Sequence, residues 1–295
     1  ITDLFRMDSG LLVVETGDRT TTSSLLNNEA VLAFDGFDIQ GGELRVKAGS
    51  APGGLSAALM TTSTSDQSVW IENATLSLQT GEADHSIPLY SNGTLTILGS
   101  KINASGGKAT NDSRAINIGD QGGKILVKDS TLTLTSDEAP YSVPLYTADL
   151  EIENSSLTAI GGKAGLESYG VSARRFLLKS GEVSLTAGDA AEWSVGLWTE
   201  DAAIQGGNLK IALGQAEGTN AITTAPTFPD FKAVIRAGSS EADAVPVLNP
   251  TEDTFLNSLY IGITPYTHAH AWSQTWEKNE THHWHACTAA DCDLT

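Results

Sequence analysis

Three aromatic residues, Tyr90, Tyr146 and Trp198, occupy the same local setting. Each follows a leucine (Leu89, Leu145, Leu197) that lies three residues after a serine (Ser86, Ser142, Ser194). Tyr141 and Trp193 precede two of those serines by one residue. Aromatic rings held at regular spacing can stack on the apolar C–H faces of sugars, each contact contributing ~1 kcal/mol by analogy with other aromatic packing. These five rings are the candidate ligand-binding residues, and a polysaccharide is the ligand they suit. The competing reading is that the rings pack on one another or beneath a loop.

A second concentration of reactive groups lies at the C-terminal end. Five of the six histidines (His268, His270, His282, His283, His285), both cysteines and three of the six tryptophans fall after Pro265. His268, His270, His285, Cys287 and Cys292 supply enough nitrogen and sulfur for a tetrahedral zinc site. The spacing is looser than a CxxC knuckle, and a Cys287–Cys292 disulfide or two free thiols are the alternatives. Trp272, Trp276 and Trp284 are the apolar material such a short segment has for a core.

The elements that must position these groups come from an internal repeat. One pattern recurs seven times: aliphatic, four turn residues, aliphatic, polar, apolar. The copies begin at Ile39, Ile71, Ile97, Val127, Ile152, Leu178 and Ile204, with spacings of 32, 26, 30, 25, 26 and 26 residues. Period-2 alternation sends one side of each strand inward and the other outward. The serine landmark repeats between the copies at Ser86, Ser113, Ser142, Ser168 and Ser194, and is read a last time at Asn220 with Thr223 in the aliphatic place. Glycine corners such as Gly106-Gly107-Lys108-Ala109 join the two landmarks. A three-strand unit of this length cannot bury its own apolar side, so the coils must stack, each strand pairing in parallel with the next coil. Crossover chirality favours a right-handed stack. A propeller blade would need four antiparallel strands over ~40–45 residues.

This register turns distant residues into neighbours. The residues after the aliphatic landmark read Tyr90, Asn117, Tyr146, Ser172, Trp198 and Thr224, an outward ring on every second coil, ~9–10 Å apart at the inter-strand spacing. The residues before the serine read His85, Asp112, Tyr141, Glu167, Trp193 and Thr219. Asp112 and Glu167 stand two coils apart, near the upper limit for an inverting carboxylate pair. Arg114, Arg174 and Arg175 are the available cations, yet no acid–base cluster is expected to line up with them. Asp137, Glu138 and Asp189 are candidate carboxylates for a calcium ion on the corners. No catalytic residue is assigned.

Composition narrows the classes. Seventeen Lys and Arg against 36 Asp and Glu give a net charge of −19, with no basic patch for nucleic acid or anionic lipid. The longest apolar runs are too short for a membrane-spanning helix. A main body free of cysteine is compatible with export.

The serine-x-Gly/Pro-aliphatic landmark, the aliphatic strands and the Gly-Gly-Lys-Ala corners together resemble the pectate-lyase-like right-handed β-helix superfamily over residues 30–240. They are similar more narrowly to β-helical carbohydrate-binding surface proteins of Gram-positive anaerobes. The final segment resembles a small His/Trp/Cys module found after β-helix regions in such proteins. The resemblance implies an all-β, right-handed single-stranded parallel β-helix of about seven to eight coils, with a small C-terminal appendage. Residues 1–263 are the helix domain, with 1–30 an irregular first coil or cap and 231–263 the closing strands. Residues 264–295 are the appended module, expected to continue beyond the last residue. The expected function is an extracellular or cell-surface, non-catalytic polysaccharide-binding protein. A lyase or glycoside hydrolase of the same superfamily and a stalk or adhesin binding a protein are the alternatives.

Overall fold

Aliphatic side chains two residues apart, flanked by polar ones, build short strands that each bury one edge. In the computed structural model, which describes residues 2–20, 27–61, 68–119, 122–229, 232–266, 272–279 and 281–287, these strands wind into a parallel β-solenoid. All 21 apolar repeat positions face inward, none more than 3% exposed, and none of the polar residues between them is buried.

Each coil carries three faces. The first is typified by Lys124–Lys128, the second by Thr131–Thr135, and the third by Ala139–Thr147, which is the opening part of a longer strand. Along the third face the coils pair in parallel from Asn28–Ala33 to Gly218–Ile222. The described residues thus form eight stacked coils. The first of them is in register with the second, with Met7 beside Ile39, Leu12 beside Leu44 and Val14 beside Val46. Residues 7–14 therefore carry the repeat spacing with methionine in the first aliphatic place.

The turn between first and second faces requires a left-handed residue. Asn73, Asp129 and Asn154 sit there at φ of 51°, 52° and 46°, a region that asparagine and aspartate tolerate better than other side chains. Ser100, Ser130 and Ser155 follow the turn, and each hydroxyl accepts the backbone N–H of the preceding coil (Ala74, Ser100 and Ser130) at 3.0–3.1 Å.

The corner between second and third faces explains the serine landmark. Ser86, Ser113, Ser142, Ser168 and Ser194 are fully buried. Their hydroxyls accept the N–H of Gly107, Asp137, Gly162, Gly188 and Gly214 in the next coil, at 2.8–3.1 Å. The serine is a rung joining coils, and the glycine-rich corner is where backbones come closest: a Cβ on Gly161 would stand 2.3 Å from the Tyr169 carbonyl oxygen.

Charges on the outside alternate from coil to coil. Glu82, Lys108, Glu138, Lys163 and Asp189 follow one another at this corner, with Lys108 Nζ 2.9 Å from Glu138. Lys124, Asp149, Arg175 and Asp201 do the same on the first face. Beside them Lys179 and Lys124 both reach Glu151, at 2.6 and 3.2 Å.

Parallel stacking ends when Tyr260–Pro265 runs antiparallel to Asn208–Leu213. Ala233–Gly238 and Val245–Val247 extend that antiparallel edge, and a short helix, Glu252–Asn257, buries Phe255. Trp272–Lys278 and His283–Cys287 form a separate two-stranded hairpin.

Candidate functional site

The candidate rings gather on the third face, where inward–outward alternation breaks and a buried run separates Tyr141 from Tyr146 and Trp193 from Trp198. In Trp193–Trp198 only the two tryptophans are exposed and the four residues between them are buried. Trp193, Trp198 and Tyr141 expose 43, 36 and 38% of their surface, while Tyr90 and Tyr146 are half-buried. Tyr90, Asn117, Tyr146, Ser172 and Trp198 stand in direct register on five consecutive coils.

The column is not an even ladder. Asn117 and Ser172, the residues between the rings, are buried. Over Ser172 the surface opens into a pocket of about 290 Å3, lined by Tyr146, Ser172, Trp198, Arg174 and Glu200. On the other side Tyr146 is covered: the Arg114 guanidinium lies 4.5 Å from its ring centroid, within cation–π distance. Since Arg114 belongs to the preceding coil, the free side of Tyr146 faces the pocket. Two rings two coils apart, with a small residue between them, make a slot rather than a flat platform.

Trp193 has a different support. A Cβ on Gly218 would come within 2.4 Å of its indole, so the ring lies against the Gly218 backbone. The expected register in this last coil is corrected accordingly. Ser194 pairs with Thr219, not Asn220, and Leu197 pairs with Ile222. The aliphatic landmark is therefore unbroken, Thr223 and not Thr224 follows it, and Gly218 rather than Thr219 stands opposite Trp193. A single-residue slip in reading the last copy conceals that glycine.

The same face carries a charged cluster where no acid–base cluster was expected. His85 Nδ1 donates to Asp112 Oδ1 at 2.6 Å, and Arg114 Nη2 lies 3.2 Å from Asp112 Oδ2. Asp112 is buried and His85 half-exposed. Hydrogen bonding to Asp112 raises the His85 pKa above its ordinary value, against the opposing effect of burial. A chain of contacts thus runs from His85 through Asp112 and Arg114 to the Tyr146 ring. Two coils beyond Asp112, Glu167 accepts a hydrogen bond from the Tyr169 hydroxyl. Burial first, and then that carboxylate, push the Tyr169 phenol well above its usual range.

The remaining candidates fall elsewhere. Arg175 makes a two-pronged contact with Asp149 on the first face. Glu138 pairs with Lys108, Asp137 spends one oxygen on the Glu138 N–H, and Asp189 accepts the Gln215 N–H. In the hairpin His285 donates from Nδ1 to the Ser273 carbonyl at 2.5 Å and lies against Trp276, with centroids 4.0 Å apart and the ring planes tilted by 42°. His268, His270 and Cys292 lie outside the described residues, as does the side chain of Cys287. Among the described residues no three His, Cys, Asp or Glu side chains gather as a metal site, and no helix is long and apolar enough to cross a membrane.

No family model matches the chain, and no curated protein or solved structure matches it either.

Proposed function

We propose that the protein is a secreted or cell-surface polysaccharide-binding protein, with its binding site on the third face of the four coils whose third-face strands begin at Ala139, Ala164, Trp193 and Gly218. The observation that carries this reading is the slot between Tyr146 and Trp198 over Ser172. Its volume is at the small end of ligand pockets, suited to one sugar unit of a longer chain. Its walls are aromatic and its mouth is polar, the combination that a pyranose with apolar faces and hydroxyl edges requires. Trp193, seated on Gly218, offers a further ring face five residues away on the same strand as Trp198. Tyr90 extends the same column two coils toward the N-terminal end.

Affinity electrophoresis or column retention on a panel of polysaccharides tests the reading. Retention is expected for the wild type and lost when Tyr90, Tyr146 and Trp198 are all replaced by alanine, with the melting temperature kept. A triple variant that is retained like the wild type would refute it.

A second reading, acid–base cleavage of a glycan, draws on the His85–Asp112 contact, since a carboxylate-held imidazole is a competent general base. The same panel, assayed for reducing or unsaturated ends, tests it. Products that form with the wild type and vanish with His85→Ala would favour it, and no products from any glycan would discard it.

A further inference from the structure

Arg174 and Glu200 both line the slot, and both are exposed. They sit side by side on neighbouring coils, joined by a backbone hydrogen bond from Glu200 N to Arg174 O at 2.9 Å. Opposite charges in this relation pair elsewhere on the solenoid: Lys108 with Glu138, Lys128 with Glu153, Arg175 with Asp149. Arg174 and Glu200 do not pair with each other, and neither makes an ion pair among the described residues. Asp149, the other carboxylate near Arg174, has both oxygens engaged by Arg175. A cation fork and a carboxylate thus stand unpaired with each other beside an aromatic slot.

We infer that this pair selects a neutral pyranose, and that Arg174 and Glu200 are its specificity-determining residues. The inference rests on the glycan-binding reading above and adds the class of sugar. A carboxylate accepts from two neighbouring hydroxyls, and a guanidinium fork donates to hydroxyl or ring oxygens. A sugar hydroxyl both donates and accepts, so one neutral ring satisfies both groups while Tyr146 and Trp198 take its apolar faces. A uronate would gain from Arg174 but meet Glu200 at close range, and an amino sugar would do the reverse. With the two charges cancelling, a neutral unit is the ligand that leaves neither group unanswered.

Calorimetric titration with neutral gluco-, manno- and galacto-oligosaccharides, oligogalacturonate and fully deacetylated chito-oligosaccharide tests the inference. At least one neutral series is expected to bind, with an affinity that changes little between about 0.05 and about 0.5 M salt. Arg174→Gln and Glu200→Gln are each expected to weaken it about ten- to a hundredfold, the range for a hydrogen bond to a charged group. Both side chains are exposed, and an unchanged thermal transition excludes unfolding as the cause. Preference for the uronate or amino sugar would overturn the inference and leave the glycan reading intact, as would neutral binding lost in Trp198→Ala but unaffected in both charge variants. If no oligosaccharide of any class binds the wild type, both fall together.

Discussion

Replacing Ser172 with phenylalanine distinguishes a slot from a ladder, because the two arrangements predict opposite signs. Ser172 stands between Tyr146 and Trp198 in direct register, one inter-strand spacing of ~4.8 Å from each. An added ring there would fall within the ~4.5–7 Å centroid range of favourable aromatic pairs on both sides. If the rings formed a continuous platform for sugar, a further ring would enlarge it and strengthen binding. If sugar enters between Tyr146 and Trp198, the new ring fills the space it needs. Two ring contacts at ~0.5–1.5 kcal/mol each are then lost, about 1–3 kcal/mol, or roughly five- to 150-fold in affinity. The solenoid itself should become more stable by a similar amount, since the two stacking contacts are now made within the protein. The assay is a titration against whichever glycan retains the wild type, with a urea unfolding curve run in parallel. Weaker binding with equal or higher stability is expected. Binding that improves or stays the same would refute the slot.

Two other outcomes follow from groups described above. Ser168→Ala removes a fully buried hydroxyl that accepts from Gly188 N and donates to Gly162 O, at 2.8 and 2.9 Å. It should cost about 2–4 kcal/mol, as two backbone groups are left without partners; a change under about 0.5 kcal/mol in urea denaturation would show that the rung is dispensable. His85 has a raised pKa in the folded protein because it donates to Asp112. Its contribution to stability is therefore complete below the unfolded value of ~6.5 and is lost as pH rises through the higher folded value. NMR titration should find the His85 midpoint above that of an unfolded peptide, and Asp112→Asn should remove this part of the pH dependence. A His85 midpoint at or below ~6.5 would contradict the contact.

How much of this could be read from the chain depended on what the period controls. Alternation places Ile97, Ile102 and Ala104 inside, because burying one side of a strand is a local demand that each copy must meet. Serine and glycine were visible as landmarks, but their purpose was not. That Ser142 reaches Gly162 depends on how closely a corner of one coil approaches the next, which spacing alone does not report. The Tyr90, Tyr146 and Trp198 column followed from the register. The slot did not, because it depends on Ser172 and Asn117 being small or buried between the rings. His85 and Asp112 were correctly placed in neighbouring coils, yet their contact was missed. Their pairing lies beside an irregularity at Ala109–Asp112, where the direction of a side chain cannot be taken from alternation. Gly218 was misplaced by one residue for a related reason: the last copy has drifted, and only its pairing with Trp193 and Ser194 restores the count.

The alternating charges have a consequence for assembly of the fold. Inside, one coil is nearly interchangeable with another, since aliphatic residues and buried serines recur at the same places. A chain that looped out one coil and stacked its neighbours would still match apolar to apolar and hydroxyl to backbone. Outside it would not: leaving out the coil that carries Asp149 and Lys163 puts Lys124 on Arg175 and Glu138 on Asp189, and leaving out the coil that carries Glu138 puts Lys108 on Lys163. Like charges placed opposite in neighbouring strands are destabilising, and each of these omissions makes at least one such pair. The surface thereby works as a parity check on a core that cannot count, rejecting a misfold that leaves out a single turn before the buried side chains can tell the difference.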